Sequence, residues 1–228
     1  MAAISIIVPV LNEASGIADA LDALASLRAG GVEIIVVDGG STDATVKLAT
    51  PLADRMLIAS PGRARQMNAG AAVARGEILL FLHADTRLPA GAVGLIEQAI
   101  DSGRHWGRFS VRIDGKSAWL PVVATMMNRR SRLTGIATGD QAIFVTREAF
   151  AAVGGFPDLP LMEDIVLSRR LLTIGRPACL EARVVTSGRR WEKHGVWRTI
   201  FLMWRLRLRF LLGADPHQLA LDYGAHEH

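Results

Sequence analysis

Four short apolar runs, three of them closing on polar residues, constrain this chain more than any other feature. Ile4–Val10 has Ser5 as its only polar residue, and Val32–Val37, Met56–Ala59 and Glu77–Leu82 are nearly as apolar. Runs of this kind need cover on both faces, which means a parallel sheet with helices above and below. Segments of helical spacing lie between them. One runs from a Ser15 cap to about Leu27, with Ile17, Leu21, Leu24 and Leu27 on one face. Another is capped by Ser41 or Thr42, a third covers Arg63–Ala74, and a fourth opens at Pro89 and ends near Ser102. After Gly103 the rhythm changes. Trp106–Ile113 alternates like an edge or antiparallel strand, and Ala118–Leu133 reads as a helix. Strands at Gln141–Thr146 and Ala178–Val185 and helices at Leu161–Ile174 and Val196–Leu212 follow, with a polar, loose tail of sixteen residues. The prediction is an α/β fold in one domain over residues 1–228. A Rossmann-like, mostly parallel central sheet flanked by helices fills residues to about 103, and a mixed second half runs to about 195.

Composition closes off several classes. At 228 residues, 50% hydrophobic and 21% charged, the chain can bury a core and is neither disordered nor fibrous. Cys179 is the one cysteine, which excludes a disulfide scaffold or a multi-cysteine metal site and suits an inert core thiol. No uncharged stretch is long enough to span a bilayer as an ordinary helix. Met1–Asn12 is apolar but has no basic leader, so it reads as a strand and not a signal peptide. The expected compartment is the reducing cytoplasm. Of 26 cations only Lys47, Lys116 and Lys193 are lysines, and guanidinium forks suit phosphate. With few aromatics and no reading motif, a net charge of +4 does not point to nucleic acid.

The strand ends carry the chemistry. The second ends in Asp38-Gly39-Gly40-Ser41-Thr42-Asp43, where open α/β sheets bind ligands. The same residues also make a plain tight turn with a helix cap. Asn12 and Glu13 end the first strand; they can grip a ribose hydroxyl or base edge, or cap the next helix. His83-Ala84-Asp85 ends the fourth. A carboxylate there can hold Mg²⁺ or Mn²⁺ with substrate oxygens, and His83 faces the same edge. A lone His-x-Asp is also a common surface pair.

Taken together, these tips resemble the family 2 glycosyltransferases of GT-A fold. The resemblance covers about residues 3–195. It runs through Val8-Pro9-Val10-Leu11-Asn12-Glu13, Asp38 to Asp43, Arg63-Ala64-Arg65-Gln66-Met67-Asn68-Ala69-Gly70 and His83-Ala84-Asp85. It continues through Gly139-Asp140-Gln141, Glu163-Asp164 and Arg189-Arg190-Trp191. It implies that Val10, Asn12 and Glu13 contact the nucleotide and that Asp38 reads a uracil ring. Arg63, Gln66 and Asn68 would close over the nucleoside. Asp85 matches the metal-binding end of an Asp-x-Asp motif whose first Asp is His83 here, so the imidazole contacts the nucleotide or the metal is held weakly. Asp164 resembles the general base, and Arg190 and Trp191 a remnant of Gln-x-x-Arg-Trp with Ser187 for Gln. That last change, with no membrane spans, argues against a processive synthase.

The implied reaction moves a sugar from a nucleotide-diphosphate sugar, uridine-linked, to an acceptor hydroxyl. Metal at Asp85 and arginines such as Arg190 would stabilise the leaving diphosphate. Asp164 would take the acceptor proton from the opposite face, giving inversion. Glu163 and Asp164 open a helix whose dipole favours ionised carboxylates; the alternative is that they merely cap it. Gly139, Asp140, Gln141, Glu163 and Trp191 would line the donor and acceptor pocket, and His194 is a further candidate metal ligand. In the helix over 196–212, Arg198, Arg205 and Arg209 share one side, with Arg207 opposite and Trp197, Phe201, Trp204 and leucines between. Such a helix suits the anionic inner face of a membrane and a lipid acceptor, or else a docking or homodimer contact. Two other readings compete. A nucleotidyltransferase would carry cations just after the first strand, where Asn12-Glu13-Ala14-Ser15-Gly16 has none. A catalytically weak nucleotide-sugar or membrane-binding module draws its support from His83.

Overall fold

The computed structural model describes residues 3–224. Eight strands form one sheet: β1 (Ile4–Val10), β2 (Glu33–Asp38), β3 (Arg55–Ile58), β4 (Ile78–Phe81), β5 (Thr86–Arg87), β6 (Trp106–Asp114), β7 (Ile143–Thr146) and β8 (Ala178–Ser187). Their order is β3-β2-β1-β4-β7-β6-β8-β5. The helices are α1 (Ile17–Asp22), α2 (Ala25–Ala29), α3 (Thr45–Ala49), α4 (Arg63–Val73), α5 (Ala92–Asp101) and α6 (Leu120–Thr134). They continue as α7 (Arg147–Ala152), α8 (Glu163–Leu171), α9 (Arg189–His194), α10 (Val196–Leu211) and α11 (Pro216–Gly224).

Strands β1 to β4 run parallel, as the doubly apolar runs require. Alternate residues of each strand enter opposite cores. Ile4, Ile6, Val8, Ile34 and Val36 join one core, while Ile7, Ile35 and Val37 join the other. Helix α4 lies close over the second face. A Cβ on Gly70 would fall 2.5 Å from Ile7 Cγ2 and 3.1 Å from Val37 Cγ2, so glycine is what lets the helix approach.

Four local expectations are corrected. The first helix is broken: α1 stops at Asp22 and α2 starts at Ala25, as the Leu24 N–H turns back to the Leu21 carbonyl, and Ser15 does not cap it. Ser41 and Thr42 do not cap α3, because their hydroxyls are engaged within the loops. Strand β6 is no edge; it runs antiparallel to β7, the other form expected of it, and parallel to β8. Its polar alternation misleads because Arg108 is fully buried, donating to the Ser131 and Ser110 hydroxyls and the Asn128 carbonyl. The tail is structured through Gly224: α11 inserts Leu219 into a third core with Leu161, Met162, Ile165 and Leu206.

Candidate active site

Parallel strands deliver their C-terminal ends to one side of the sheet, and the loops there are laced together. The Asn12 N–H donates to Ser41 Oγ and the Glu13 N–H to Thr45 Oγ1, both at 2.8 Å. Asn12, with its backbone at φ 53°, accepts on Oδ1 from the Thr42 N–H at 2.9 Å. Asp38 is buried and caps its own turn: Oδ2 accepts from the N–H groups of Gly40 and Ser41, and Oδ1 from the Ser41 hydroxyl. The tight-turn reading of this loop therefore describes its hydrogen bonds.

Gln66 is buried too. Its Nε2 donates to the carbonyls of Val10 and Val37 at 2.8 Å each, pinning the tips of β1 and β2. The Val10 carbonyl also accepts from the Gly39 N–H. Asn68 pairs through both amide atoms with the backbone of Phe156. Gln66 and Asn68 thus turn inward and hold the crevice walls, whereas exposed Arg63 heads α4 on the open side.

At the end of β4, Asp85 is half-buried, and the Arg189 guanidinium lies 3.8 Å from it and 3.5 Å from Glu13. These two contacts bring the tips of β1 and β4 to one place. In the sequence Arg189 stands in the Arg189-Arg190-Trp191 stretch with no role of its own, because only the fold brings it back to β1. Among the described residues no three His, Cys, Asp or Glu side chains are grouped to hold a metal ion, so Asp85 and His194 make no ready-built site. A single accessible carboxylate beside Glu13 nevertheless suits an ion that draws its other ligands from a diphosphate and water.

His83 points the other way. Its Nδ1 is 3.6 Å from Asp140, and its ring packs on Gly139, where a Cβ would fall 2.4 Å from Cε1. A small cavity there is lined by Met67, Phe81, His83, Gly139, Ile143, Phe156, Glu163 and Asp164. Asp164 is oriented by two backbone donors, Gly139 N–H at 3.0 Å and Ile165 N–H at 2.7 Å. Burial, then neighbouring Asp164, pushes Glu163 up to about 7, and burial also raises Asp164. Desolvation at this helix start outweighs the dipole that would favour ionisation. Arg63 opposes both shifts. Arg130, on α6, keeps Nε and Nη2 buried without a hydrogen-bond partner and feels the charges of Asp164 and Asp140.

Two other expected residues, Gln141 and Trp191, stand apart from the cavity. Gln141 is fully buried and spends its amide on the Thr138 N–H and on Asn128. Trp191 packs against the first core. The Arg190 side chain lies outside the described residues.

A sequence model for "Glycosyl transferase family 2" matches residues 5–152. A PGL/p-HBAD biosynthesis glycosyltransferase from Mycobacterium tuberculosis is 41% identical over 91 residues, which cover 37% of this chain and 36% of that protein. The chain thus matches little more than a third of the length of such relatives. Among solved structures, Staphylococcus aureus TarS in complex with UDP-GlcNAc has a TM-score of 0.66 at 18% identity, covering 81% of this chain and 58% of that one. The Pyrobaculum calidifontis mannosyltransferase PcManGT, in complex with GDP-Man and Mn²⁺, has a TM-score of 0.65 at 22% identity, covering 99% and 70%. Both likenesses bear on the fold.

Proposed function

The chain belongs to glycosyl transferase family 2, and from that premise we propose that it moves a sugar from a uridine-diphosphate sugar to an acceptor hydroxyl with inversion. The observation that carries this reading is the half-buried Asp164 carboxylate, aimed by two backbone N–H donors beside a cavity that His83, from the end of β4, also lines.

The donor lies across the ends of β1, β2 and β4. Glu13 meets its ribose, and the Asp38 turn forms the wall beside the uracil. Arg189, held between Glu13 and Asp85, faces the diphosphate. Asp85 would hold a divalent ion, Mn²⁺ or Mg²⁺, which supplies charge neutralisation to the leaving group when bound. The TarS and PcManGT complexes with nucleotide sugars support a donor of this class in this fold.

Asp164 accepts the acceptor proton as the new bond to the anomeric carbon forms and the bond to the diphosphate breaks. Attack from the face opposite the leaving group inverts the anomeric centre. Burial makes Asp164 a stronger base than a solvated aspartate, because the proton it gains removes an ill-solvated charge. Glu163, whose value is near neutrality, carries a proton below that range and so spares Asp164 a like charge next door. Arg63 and Arg130 supply positive potential around the pair.

Release of UDP from a panel of UDP-sugars, with water as surrogate acceptor, tests the reading. Asp164→Asn should lower kcat about 10²–10⁴-fold while UDP binding, measured by calorimetry, stays unchanged. A variant that keeps full turnover would remove Asp164 from the role of base.

A further inference from the structure

Helix α10 buries Val196, Thr199 and Leu206 and turns a second apolar stripe outward. Trp197, Phe201, Trp204, Leu208 and Leu211 follow one another at spacings of four and three, each more than half exposed. Helix α6 has an outward stripe of its own, formed by Trp119, just before its first residue, with Val122, Met126 and Leu133. The two stripes meet where Trp119 and Trp197 pack edge to face at 4.9 Å. One continuous apolar face results, larger than scattered surface leucines would make.

The charges on the two helices themselves have one sign, although Arg132 is paired with Glu181 and Arg209 with Asp222. Helices α6 and α10 contain Arg129, Arg130, Arg132, Arg198, Arg205, Arg207 and Arg209 and no Asp or Glu. Arg129 and Arg205 are exposed alongside the stripes. We propose that this face docks on a lipid bilayer bearing anionic head groups, with the Trp and Phe rings at head-group depth and the arginines on the phosphates. Aromatic rings among arginines suit that boundary, where one side is apolar and the other wet. A second copy of the chain fits less well. In a two-fold contact the same patch faces itself, and an arginine-rich face would oppose arginines.

The inward side of the same helix packs on the start of α8, where the acidic pair sits. Leu206 packs with Leu161, Met162 and Ile165, the residues flanking Glu163 and Asp164. A hydroxyl-bearing amphiphile in that membrane is then the acceptor class the base can reach. This last step rests on the glycosyltransferase reading; the docking does not.

Co-sedimentation of the full chain with vesicles tests the docking. It should bind mixed phosphatidylcholine–phosphatidylglycerol vesicles, bind pure phosphatidylcholine less, and release in high salt. The double variant Phe201→Ser/Trp204→Ser should bind about tenfold or more weakly, with UDP binding unchanged. Both side chains are surface residues, and Arg129→Glu/Arg205→Glu provides a second variant that leaves the apolar stripe intact and should weaken binding to the anionic vesicles alone. Vesicle binding that is absent in the parent or equal in both variants overturns the proposal. So does a dimer by light scattering that Phe201→Ser/Trp204→Ser converts to monomer without vesicle binding. Loss of UDP turnover with vesicle binding intact would instead count against the proposed chemistry.

Discussion

Glu163 and Asp164 sit side by side at the start of α8, and burial works against the charge of both. Glu163 rises from 4.5 to about 7. Between those values the folded protein keeps a proton that the unfolded chain has released, so Glu163 makes stability fall as pH rises through that window and level off above it. Glu163→Gln should remove this part of the slope and gain up to about 3 kcal/mol above neutral pH, read by urea denaturation across the window. It should leave the acidic limb of the pH–rate profile in place, since Glu163 still carries its proton there and puts no like charge beside Asp164. An unchanged slope would mean that Glu163 is solvated in the folded state. Asp85, Glu13, His83, Gly139 and the acidic pair were legible in the sequence, because strand ends and a helix start are local features. Asn12, Gln66, Asn68 and Gln141 were legible as polar residues near the site but not as supports. Which backbone group an amide meets depends on residues up to 88 positions away. Arg130 gave no local signal, and Arg189 stood in the Arg189-Arg190-Trp191 stretch without a role of its own.

Element by element, the parallel half was readable because a doubly covered strand shows itself as an unbroken apolar run. β6 was not, since buried Arg108 imitates a solvent-facing position once Ser110, Ser131 and the Asn128 carbonyl satisfy it. α11 was missed because its one fully buried side chain, Leu219, is too little to announce an amphipathic face. Helix α4 carries the clearest prediction at this scale. Gly70→Ala would gain about 0.5–1 kcal/mol in helix propensity but drive a methyl into Ile7 and Val37. Overpacking of this kind costs about 1–3 kcal/mol, so the net change is a loss. Because α4 also carries Gln66 and Arg63, the variant should weaken UDP binding as well as lower Tm. A variant of unchanged Tm would show that α4 lifts off without strain.

Across the whole molecule, the third core ties the C-terminal helices to α8, which carries the proposed base. Leu206 is fully buried against Met162, Ile165 and Leu219. Leu206→Ala should cost about 2–5 kcal/mol. Turnover should suffer more than donor affinity, because the proposed donor crevice is built from β1, β2 and β4 and the proposed base comes from α8. Equal losses in both, in UDP-release kinetics, would mean that the two halves are not separable in this way. Met162 shows what the arrangement implies. It stands directly before Glu163 with φ at 70°, a left-handed conformation that an unbranched non-glycine side chain adopts at a cost of about 1–2 kcal/mol. Its side chain is buried under α10 and α11, so those helices hold the turn in a shape it would not keep unaided. The alignment of the carboxylate pair therefore depends on packing from α10 and α11 and not on the sheet alone.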